Sequence, residues 1–348
     1  MIDQFRDKLR DGMVANGLPE SFADQLYQQI RGFGEYGFPE AHAASFALLA
    51  YVSAWLKCHY PAAFAAALMN SQPMGFYAPA QIVRDVQEHG VEVREVDVNR
   101  SDWDCTLESV SGKPALRLGF RLVKGFPEAK ARAIVRVRPT EEFCSVRDFA
   151  RRVQLSRSLL ARLAVADAFG SLGMSRRAAL WEVMALGEEL PLFAGFDLED
   201  EATPSLATMP LDEQVVADYD STGLSLKAHP VGLIRQELNV LKVWPASALK
   251  RMRDKAFVRV AGIVLVRQRP GTAKGTTFVT LEDETGIANL LIWPRVWERF
   301  REVARGATFL LAQGRIESAD GVIHVVVTKL EDLSRSLEGI ASQSRDFR

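Results

Sequence analysis

The segment 256–332 limits the possible folds of this 348-residue chain more than any other stretch. It holds three β-rich runs (AFVRVAGIVLVRQ, GTTFVTLED, GIANLLIW), the helical segment PRVWERFREVARG, and two further β-rich runs (ATFLLAQGRIES, GVIHVVVTKLED). Glu284-Thr285-Gly286 supplies a turn between the second and third runs, and Asp320-Gly321 supplies one between the last two. Three strands, one helix and two strands is the order of a five-stranded OB-fold β-barrel, which this segment predicts.

Helical patterns dominate residues 1–187. ESFADQLYQQIRGF is amphipathic, PAAFAAALMN has Pro61 at a first helical turn, and APAQIVRDVQEHG ends at the helix-stopping Gly90. A chain of this length exceeds one ordinary core, so two or three domains are expected. The predicted fold class is multidomain α+β, with a mostly helical part followed by the barrel.

Charge is segregated along the chain, although its net charge is only −1. Residues 113–162 carry 13 Lys/Arg against 4 Asp/Glu, and residues 187–220 carry 10 Asp/Glu and no Lys/Arg. The basic block favours a polyanionic partner such as nucleic acid. The acidic block, which is rich in Pro and Gly, indicates a linker or a partner-binding segment. The alternative is two solvated faces that pair with each other.

Several function classes lack support in the residues. The three cysteines form no CxxC pair and the five histidines no HExxH, which argues against disulfides or a zinc site and favours the cytoplasm. The charged start MIDQFRDKLRDG is unlike a signal peptide. The most apolar run, Ala43 to Leu56, is shorter than the roughly 20 residues that span a bilayer, so it predicts a buried helix and no membrane partner.

The pentapeptide GFPEA occurs at residues 37–41 and again at residues 125–129. Both copies predict a turn followed by a helix, because Gly permits the turn, Pro fits the first helical turn and Glu favours the helix N-terminus. The first copy opens the apolar helix. Its polar residues His42, Ser45, Ser53 and Lys57 fall on one stripe, which suggests a phosphate-bearing ligand. The alternative is a set of core polar groups satisfied locally.

The second copy lies in a helix-hairpin-helix pattern, a motif in which a Gly-containing hairpin and the next helix N-terminus hold a phosphate. A second such hairpin has Leu172-Gly173-Met174 at its turn and Ser175 as the N-cap of the next helix. Two hairpins predict a clamp on the DNA backbone that does not read sequence. The DNA-binding candidates here are Lys124, Gly125, Phe126, Lys130, Arg132, Gly173, Ser175, Arg176 and Arg177.

The predicted barrel carries its own candidates for binding single-stranded DNA. Arg267, Arg269 and Lys274 flank the first strand–strand loop. Phe278 and Trp293 offer faces on which bases stack. For both aromatic residues the alternative is packing inside the barrel.

Two acidic motifs are candidates for catalysis. Asp102 and Asp104 form a DxD that is able to seat two metal ions, but the surrounding VNRSDWDC indicates a turn. The triplet Glu282-Asp283-Glu284 at a barrel hairpin is most simply a turn. We find no GxxxxGK[ST] loop, Ser/His/Asp signature or redox pair.

The stretch from Gly34 to Cys105, which contains GEYGFPEAHAASFALLAYVSAWLKCHYPAAFAAALMN and VNRSDWDC, resembles the late fingers region of bacterial C-family DNA polymerases, the replicases of the alpha-subunit type. ALRLGFRLVKG, ADAFGSLGMSRRAALW and GTTFVTLEDETGIANLLIWP resemble the tandem helix-hairpin-helix and OB segments that follow in that family. NSQPMGFYAP and DYDSTGLSLKAHPVGLIRQEL are most similar to its error-prone, damage-inducible branch.

The resemblance implies template-directed DNA synthesis across lesions and places His42 and Ser45 near the incoming nucleotide, in agreement with the polar stripe that includes Lys57. The family's palm, with its catalytic aspartates, is not in these residues. The chain alone is therefore expected to bind DNA without polymerising it and to hold no cofactor, while Mg²⁺ and dNTP belong to the complete polymerase. The implied domains are fingers (1–98), tandem helix-hairpin-helix (99–187), acidic linker and connecting helix (188–250), OB fold (251–334) and tail (335–348).

Glu189-Leu190-Pro191-Leu192-Phe193 resembles a sliding-clamp-binding peptide, in which the apolar residues Leu190, Leu192 and Phe193 dock in a groove. The alternative is a linker anchored to its own domain. A clamp-binding peptide favours a second hypothesis for the whole chain, a non-catalytic DNA-repair scaffold that recruits the clamp or other translesion proteins.

Overall fold

The computed structural model describes residues 5–34, 40–73, 78–138, 142–186, 206–273, 275–319, 322–337 and 345–347. The chain divides into two compact units, Met1–Phe64 and Ala65–Arg348. Among the described residues, no helix combines the length and apolar character needed to cross a membrane.

The first unit is helical. Its helices are α1 (Arg6–Ala15), α2 (Glu20–Gly34), α3 (Glu40–His59) and the first residues of α4 (Pro61–Asn70). Ala23 and Tyr27 on α2 are buried, and the Arg6 guanidinium of α1 lies 5.3 Å from the centre of the Tyr27 ring. These contacts hold α1 and α2 together as a helical pair.

Helix α3 is exposed at nearly all of its described side chains, so the prediction of a buried helix is wrong. Leu48 is 65% exposed and Tyr51 is 70% exposed, and Phe46, Leu49 and Trp55 are also largely solvent-accessible. A helix that is apolar on all sides needs neighbours on all sides to be buried. The described residues of this unit supply only two other helices and the start of a fourth, which is too little surface to enclose it.

The second unit begins with helices around a small sheet. Its helices here are the end of α4, α5 (Pro79–Glu88), α6 (Glu128–Val137), α7 (Val146–Val153), α8 (Arg157–Val165) and α9 (Arg176–Ala185). The strands are β1 (Val93–Arg94), β2 (Thr106–Val110) and β3 (Lys113–Arg117), in the order β1-β3-β2. The fully buried Phe149 meets Phe143 and Phe169 edge-on, with ring centres 5.0 and 5.4 Å apart, and these rings form the centre of the helical core.

Three helices follow: α10 (Leu211–Ser221), α11 (Pro230–Leu233) and α12 (Arg235–Val240). The end of the acidic block is therefore helical rather than linker-like. Val215 and Asp218 of α10 are buried, because one side of this acidic helix packs on the helical core while its other side carries the exposed acids. The predicted connecting helix around residues 232–238 exists as the short pair α11 and α12.

The barrel has the predicted order of elements. Its parts are β4 (Phe257–Gln268), β5 (Thr277–Asp283), β6 (Gly286–Ile292), α13 (Pro294–Arg299), α14 (Arg301–Gly306), β7 (Phe309–Ala319) and β8 (Val322–Asp332). β4 pairs with both β5 and β7, which closes the sheet, and β9 (Arg345–Phe347) adds in parallel to β4. The five-stranded OB-fold prediction is confirmed; the single predicted helix is two short ones.

Alternation along each strand separates the inside of the barrel from its outer surface. Val279 and Leu281 of β5 point into the core, while Phe278 and Thr280 between them are partly exposed. The period of two in a β-strand produces these two faces. The outward residues are therefore the part of the barrel that is available to a ligand.

Candidate nucleic-acid interface

The first hairpin turns at Gly125, which has a left-handed φ of +69°. A Cβ placed there would lie 2.6 Å from Arg162 Nη1, and this same nitrogen donates a 2.9 Å hydrogen bond to the Lys124 carbonyl. Glycine is thus required twice, for the backbone angle and for the space. Helix α6 starts three residues later, with Glu128 in its first turn and Pro127 as its N-cap.

The side chains predicted to bind DNA at this hairpin have different surroundings. Phe126 is 5% exposed and its ring centre lies 5.9 Å from that of Phe120, so it anchors the hairpin to the core instead of facing outward. Lys130 is exposed, and Arg132 is exposed but pairs with Glu128 at 2.7 Å. Lys124 donates through Nζ to the Tyr219 carbonyl at 2.7 Å.

The second hairpin turns at Gly173, which also has a left-handed φ, +71°. A Cβ there would meet no atom within 4 Å, so the turn needs glycine for its angle alone. Ser175 is the N-cap of α9, and its Oγ accepts a 3.4 Å hydrogen bond from the Ala178 N–H. The N-cap prediction is confirmed.

The two arginines behind Ser175 are bonded to α10. Arg176 is 6% exposed, forms an ion pair with Asp218 and donates to the Gln214 carbonyl at 3.0 Å. It is a buried structural residue, contrary to the prediction that it faces DNA. Arg177 remains partly exposed, although its guanidinium pairs with Glu213 at 2.7 Å and donates to the Ala207 carbonyl at 3.0 Å.

Asp218 is the centre of a partly buried charge network. Besides Arg176, it accepts hydrogen bonds from Ser225 Oγ at 2.6 Å and from Lys227 Nζ at 3.3 Å. Lys227 Nζ also lies 3.0 Å from Asp167 and 3.2 Å from Glu95. Burial acts to lower the pKa of Lys227, but the carboxylates outweigh it and raise that pKa. The network joins α10 and the segment after it to the helical core.

The barrel cations also divide into structural and exposed residues. Arg267 is 6% exposed, its Nε donates to the Ala304 carbonyl at 2.9 Å, and its guanidinium also contacts the Ala307 carbonyl. It lies at the end of β4 beside the loop, but its buried side chain satisfies carbonyls at the end of α14 and does not face DNA as predicted. Arg269 is exposed, with its guanidinium 5.7 Å from the centre of the Trp297 ring. Lys274 lies outside the described residues.

Trp293 and Phe278 both reach the surface. Trp293 is 50% exposed, so the alternative of barrel packing is wrong for it. Phe278 is partly exposed on the outer face of β5, and its ring centre lies 6.5 Å from that of His324 on β8. His324 and its neighbour Asn289 on β6 were missed in the sequence. The alternation in GIANLLIW and GVIHVVVT places both on the outer face and was the signal that could have found them.

The nucleotide-proximal candidates all lie on α3. The His42 ring stacks on Phe46, with ring centres 4.4 Å apart. His42 and Ser45 are exposed and Lys57, in the last helical turn, is partly buried. Their relation to a nucleotide remains a prediction. Leu190, Leu192 and Phe193 lie outside the described residues.

The DxD carboxylates are bonded to arginines. Arg121 Nη1 contacts Asp104 Oδ1 at 2.7 Å, and Arg138 Nη1 contacts Asp102 Oδ1 at 3.4 Å. Across the described part of the chain, no group of three or more His, Cys, Asp or Glu side chains is placed to hold a metal ion. The pair therefore stabilises the local fold, and the reading as a metal-seating motif has no geometric support.

The acidic turn, residues 282–284, joins the barrel to the helices. Arg84 of α5 pairs with Glu282 at 2.8 Å, and Arg235 of α12 donates two hydrogen bonds of 2.5 and 2.7 Å to Glu284. Asp283 Oδ2 accepts a 2.7 Å bond from the Ala246 N–H. The predicted turn is confirmed for Glu284 alone, because Glu282 and Asp283 are the last residues of β5. The triplet is also the ionic connection between the two parts.

A cavity of about 190 Å³ lies beside this turn, with Tyr219 and His229 among its lining residues. Burial lowers the pKa of His229 to about 4, and burial raises that of Tyr219. His229 Nδ1 accepts a 3.2 Å bond from the Val231 N–H, which caps α11. The imidazole is therefore held neutral near pH 7.

Two family models match the second unit. Residues 90–179 match a helix-hairpin-helix motif, and residues 258–333 match an OB-fold nucleic acid binding domain. Both matches cover the regions described above and indicate DNA binding.

Relatives match over the whole chain. It is 51% identical over 354 residues to an error-prone DNA polymerase of Rhodopirellula baltica, a match covering 100% of this chain and 31% of the relative. Over its whole length the chain is thus similar to one part of the error-prone DNA polymerases. Those of Methylococcus capsulatus and Agrobacterium fabrum, the latter called error-prone DNA polymerase 2, are each 49% identical over 99% and 100% of this chain. The chain spans about a third of their lengths, 35% and 33%.

Likeness to solved structures is confined to small parts of the chain. An asparaginyl-tRNA synthetase from Pyrococcus horikoshii matches 23% of this chain and 20% of its own, at 26% identity and a TM-score of 0.21. A score this low supports no argument about function.

Proposed function

We propose that this chain is the DNA-holding part of an error-prone polymerase that copies damaged templates in the cytoplasm. The observation that carries the proposal is the pair of hairpins with left-handed glycines, Gly125 and Gly173, each followed by the start of a ten-residue helix. Backbone N–H groups at a helix start bind anions, and a glycine turn lets a phosphate approach them.

In this proposal the two hairpins grip successive phosphates of duplex primer-template. Because the bonding groups are mainly backbone N–H groups, the contact does not depend on base sequence. Lys130 is the exposed cation nearest the start of α6, and Arg177 is the partly exposed one at α9. Each adds screened attraction to the phosphates.

The barrel holds the single-stranded template in the same proposal. Phe278 and Trp293 supply stacking surfaces, and Arg269 supplies charge at the loop between β4 and β5. Stacking on aromatic side chains combined with nearby cations is the usual way in which OB folds hold single strands.

Two further roles belong to the complete enzyme. His42, Ser45 and Lys57 are proposed to lie near the incoming dNTP, with Mg²⁺ supplied at the palm. Leu190, Leu192 and Phe193 are proposed to bind the sliding clamp. Both rest on the sequence resemblance alone.

Fluorescence anisotropy with a labelled primer-template and a labelled single strand, at several salt concentrations, tests the proposal. We expect affinity for both to fall steeply with salt, because bound phosphates release counterions. Gly173→Ala should weaken duplex binding severalfold while single-strand binding stays unchanged, since its left-handed φ costs about 1 kcal/mol for a residue with a Cβ.

Gly125→Ala should weaken duplex binding more, because its Cβ also displaces Arg162. Circular dichroism controls for folding, and Gly17→Ala, also at a left-handed φ in open space but outside the hairpins, is the matched control. Binding that is indifferent to salt, or duplex affinity unchanged in both hairpin variants, would contradict the proposal.

A further inference from the structure

The outer face of the barrel carries two parallel rows of side chains across β5, β6 and β8. Cross-strand register sets both rows, and each row takes one residue from each strand. Neighbouring strands lie about 4.8 Å apart, so members of a row are in contact distance. The apolar row is Phe278, Leu291 and Val326, and the polar row is Thr280, Asn289 and His324.

The polar row presents a hydrogen-bond donor at Asn289. Thr280 Oγ1 donates to Asn289 Oδ1 at 3.2 Å. The carboxamide oxygen is thereby engaged, and the other end of the amide, Nδ2, can only donate hydrogen bonds. Asn289 is partly exposed, so this donor is accessible to a ligand on the barrel face.

His324 presents a second donor. Its Nδ1 is buried without a hydrogen-bond partner among the described residues. A neutral imidazole carries one proton, and a proton on buried Nδ1 would be a donor left unpaired at a cost of about 1–3 kcal/mol. We therefore assign the proton to Nε2.

Phe278 and His324 form a corner. Their ring planes are inclined by 63° and their centres are 6.5 Å apart. A base that lies flat on Phe278 on the side of the corner turns its edge toward His324, and the polar row continues from His324 to Asn289. Stacking surface and edge-reading donors thus meet at one place on the barrel.

We propose that this corner reads the edge of a base in single-stranded DNA and favours bases with two adjacent acceptors. Cytosine offers O2 and N3, and guanine offers O6 and N7, whereas adenine places its N6 donor beside N7 or N1. Two donors on the protein therefore favour cytosine and guanine over adenine. The inference rests on the proposed holding of single strands by the barrel and adds base preference to it.

Anisotropy titrations of the full chain with labelled oligonucleotides of cytosine, of adenine and of abasic units, all of one length, test the inference. The wild type should bind the cytosine strand about tenfold more tightly than the adenine strand, the discrimination typical of one paired base edge. Asn289→Asp turns the donor into an acceptor of the same shape and should remove the preference. His324→Ala should reduce it.

Val322→Asp is the matched control, because Val322 is exposed on the same face of β8 and gains the same charge outside the polar row. It should weaken all three oligonucleotides equally and keep the preference. Equal wild-type binding of cytosine and adenine strands, or a preference that survives Asn289→Asp and His324→Ala, would overturn the inference while leaving the proposed function intact. Failure of the wild type to bind any single strand would instead overturn the proposed role of the barrel, and this inference with it.

Discussion

The second unit carries two candidate DNA-binding regions that are built in opposite ways. At the hairpins the groups proposed to bind a phosphate belong to the backbone, and the nearby cations Lys124, Arg176 and Arg177 are bonded to α10. On the barrel the groups proposed to bind a base are side chains, Phe278 and Asn289 among them. The hairpins are thus fixed by the fold, whereas the barrel face is set by individual residues and can change with them.

The comparison also bears on charge. Several cations of the basic block form ion pairs within the protein. Arg117 pairs with Glu108 at 2.7 Å, and Arg121 and Arg138 pair with the DxD carboxylates. A count of lysines and arginines along the sequence therefore overestimates the charge that reaches DNA. The end of the acidic block does pair with arginines, Arg176 and Arg177, but these lie after the basic block and not in it.

Asp218→Ala has the largest expected effect, and it tests whether the arginines beside the second hairpin are structural. It leaves Arg176 buried without its main partner, and breaking a buried ion pair from one side costs about 3–5 kcal/mol of the free energy of unfolding. Urea denaturation measures the loss. Asp220→Ala, at an exposed acid of the same helix, should change stability by less than about 0.5 kcal/mol. If Asp218→Ala were as stable as the wild type, the structural role assigned to the Arg176–Asp218 pair would be wrong, and Arg176 would again be a candidate for binding DNA.

The titration of His229 tests the junction between the helices and the barrel. Burial lowers its pKa in the folded protein from 6.5 to about 4, so between these values the unfolded chain binds the extra proton. The contribution of His229 to the free energy of unfolding is fully present above about pH 6.5. It falls as the pH drops toward 4, by up to about 3 kcal/mol. Glu282 and Asp283 raise this pKa, and Arg84 and Arg235 lower it further.

Urea denaturation from pH 7.5 to pH 4.5 measures the acid-side loss at the junction. His229→Asn keeps an acceptor for the Val231 N–H and removes the titrating group, so it should lose less stability over this range than the wild type. An identical pH profile in the two proteins would assign the acid loss to other groups.

The smallest expected effect comes from substituting Arg269, which is exposed, and the buried Arg267 is its comparison. Arg269→Ala should lower single-strand affinity a few-fold and reduce the slope of log affinity against log salt by about 0.7, the value for one phosphate contact. Arg267→Met should leave that slope unchanged and reduce stability instead, because its guanidinium serves carbonyls at the end of α14. Equal slopes for Arg269→Ala and the wild type would remove Arg269 from the interface.

The parts of the fold that the sequence predicted are those that local pattern determines. The strand order of the barrel follows from alternation and turn residues, and the N-cap at Ser175 follows from its neighbours. Arg176 could not be assigned in this way, because its partner Asp218 is 42 residues away in the chain. Burial of α3 was mispredicted for the related reason that apolar composition does not say what surrounds a helix.

The polar row on the barrel lies between these cases. Alternation places Asn289 and His324 on the outer face, but only the parallel pairing of β6 with β8 makes them neighbours. Such a pairing joins strands separated by two short helices and another strand, so no local pattern reveals it. Predicting a site of this kind requires the register of the paired strands as well as the sequence.

The acidic turn has a consequence for recombination between relatives. Three consecutive carboxylates of the barrel, Glu282 to Glu284, form ion pairs with arginines of α5 and α12, which lie outside the barrel. A barrel transplanted from another protein would have to bring this tripeptide at the same hairpin, or Arg235 would lose its carboxylate partners and Arg84 would keep only Glu88 of its own helix. The unit of exchange is therefore the barrel together with its one short turn.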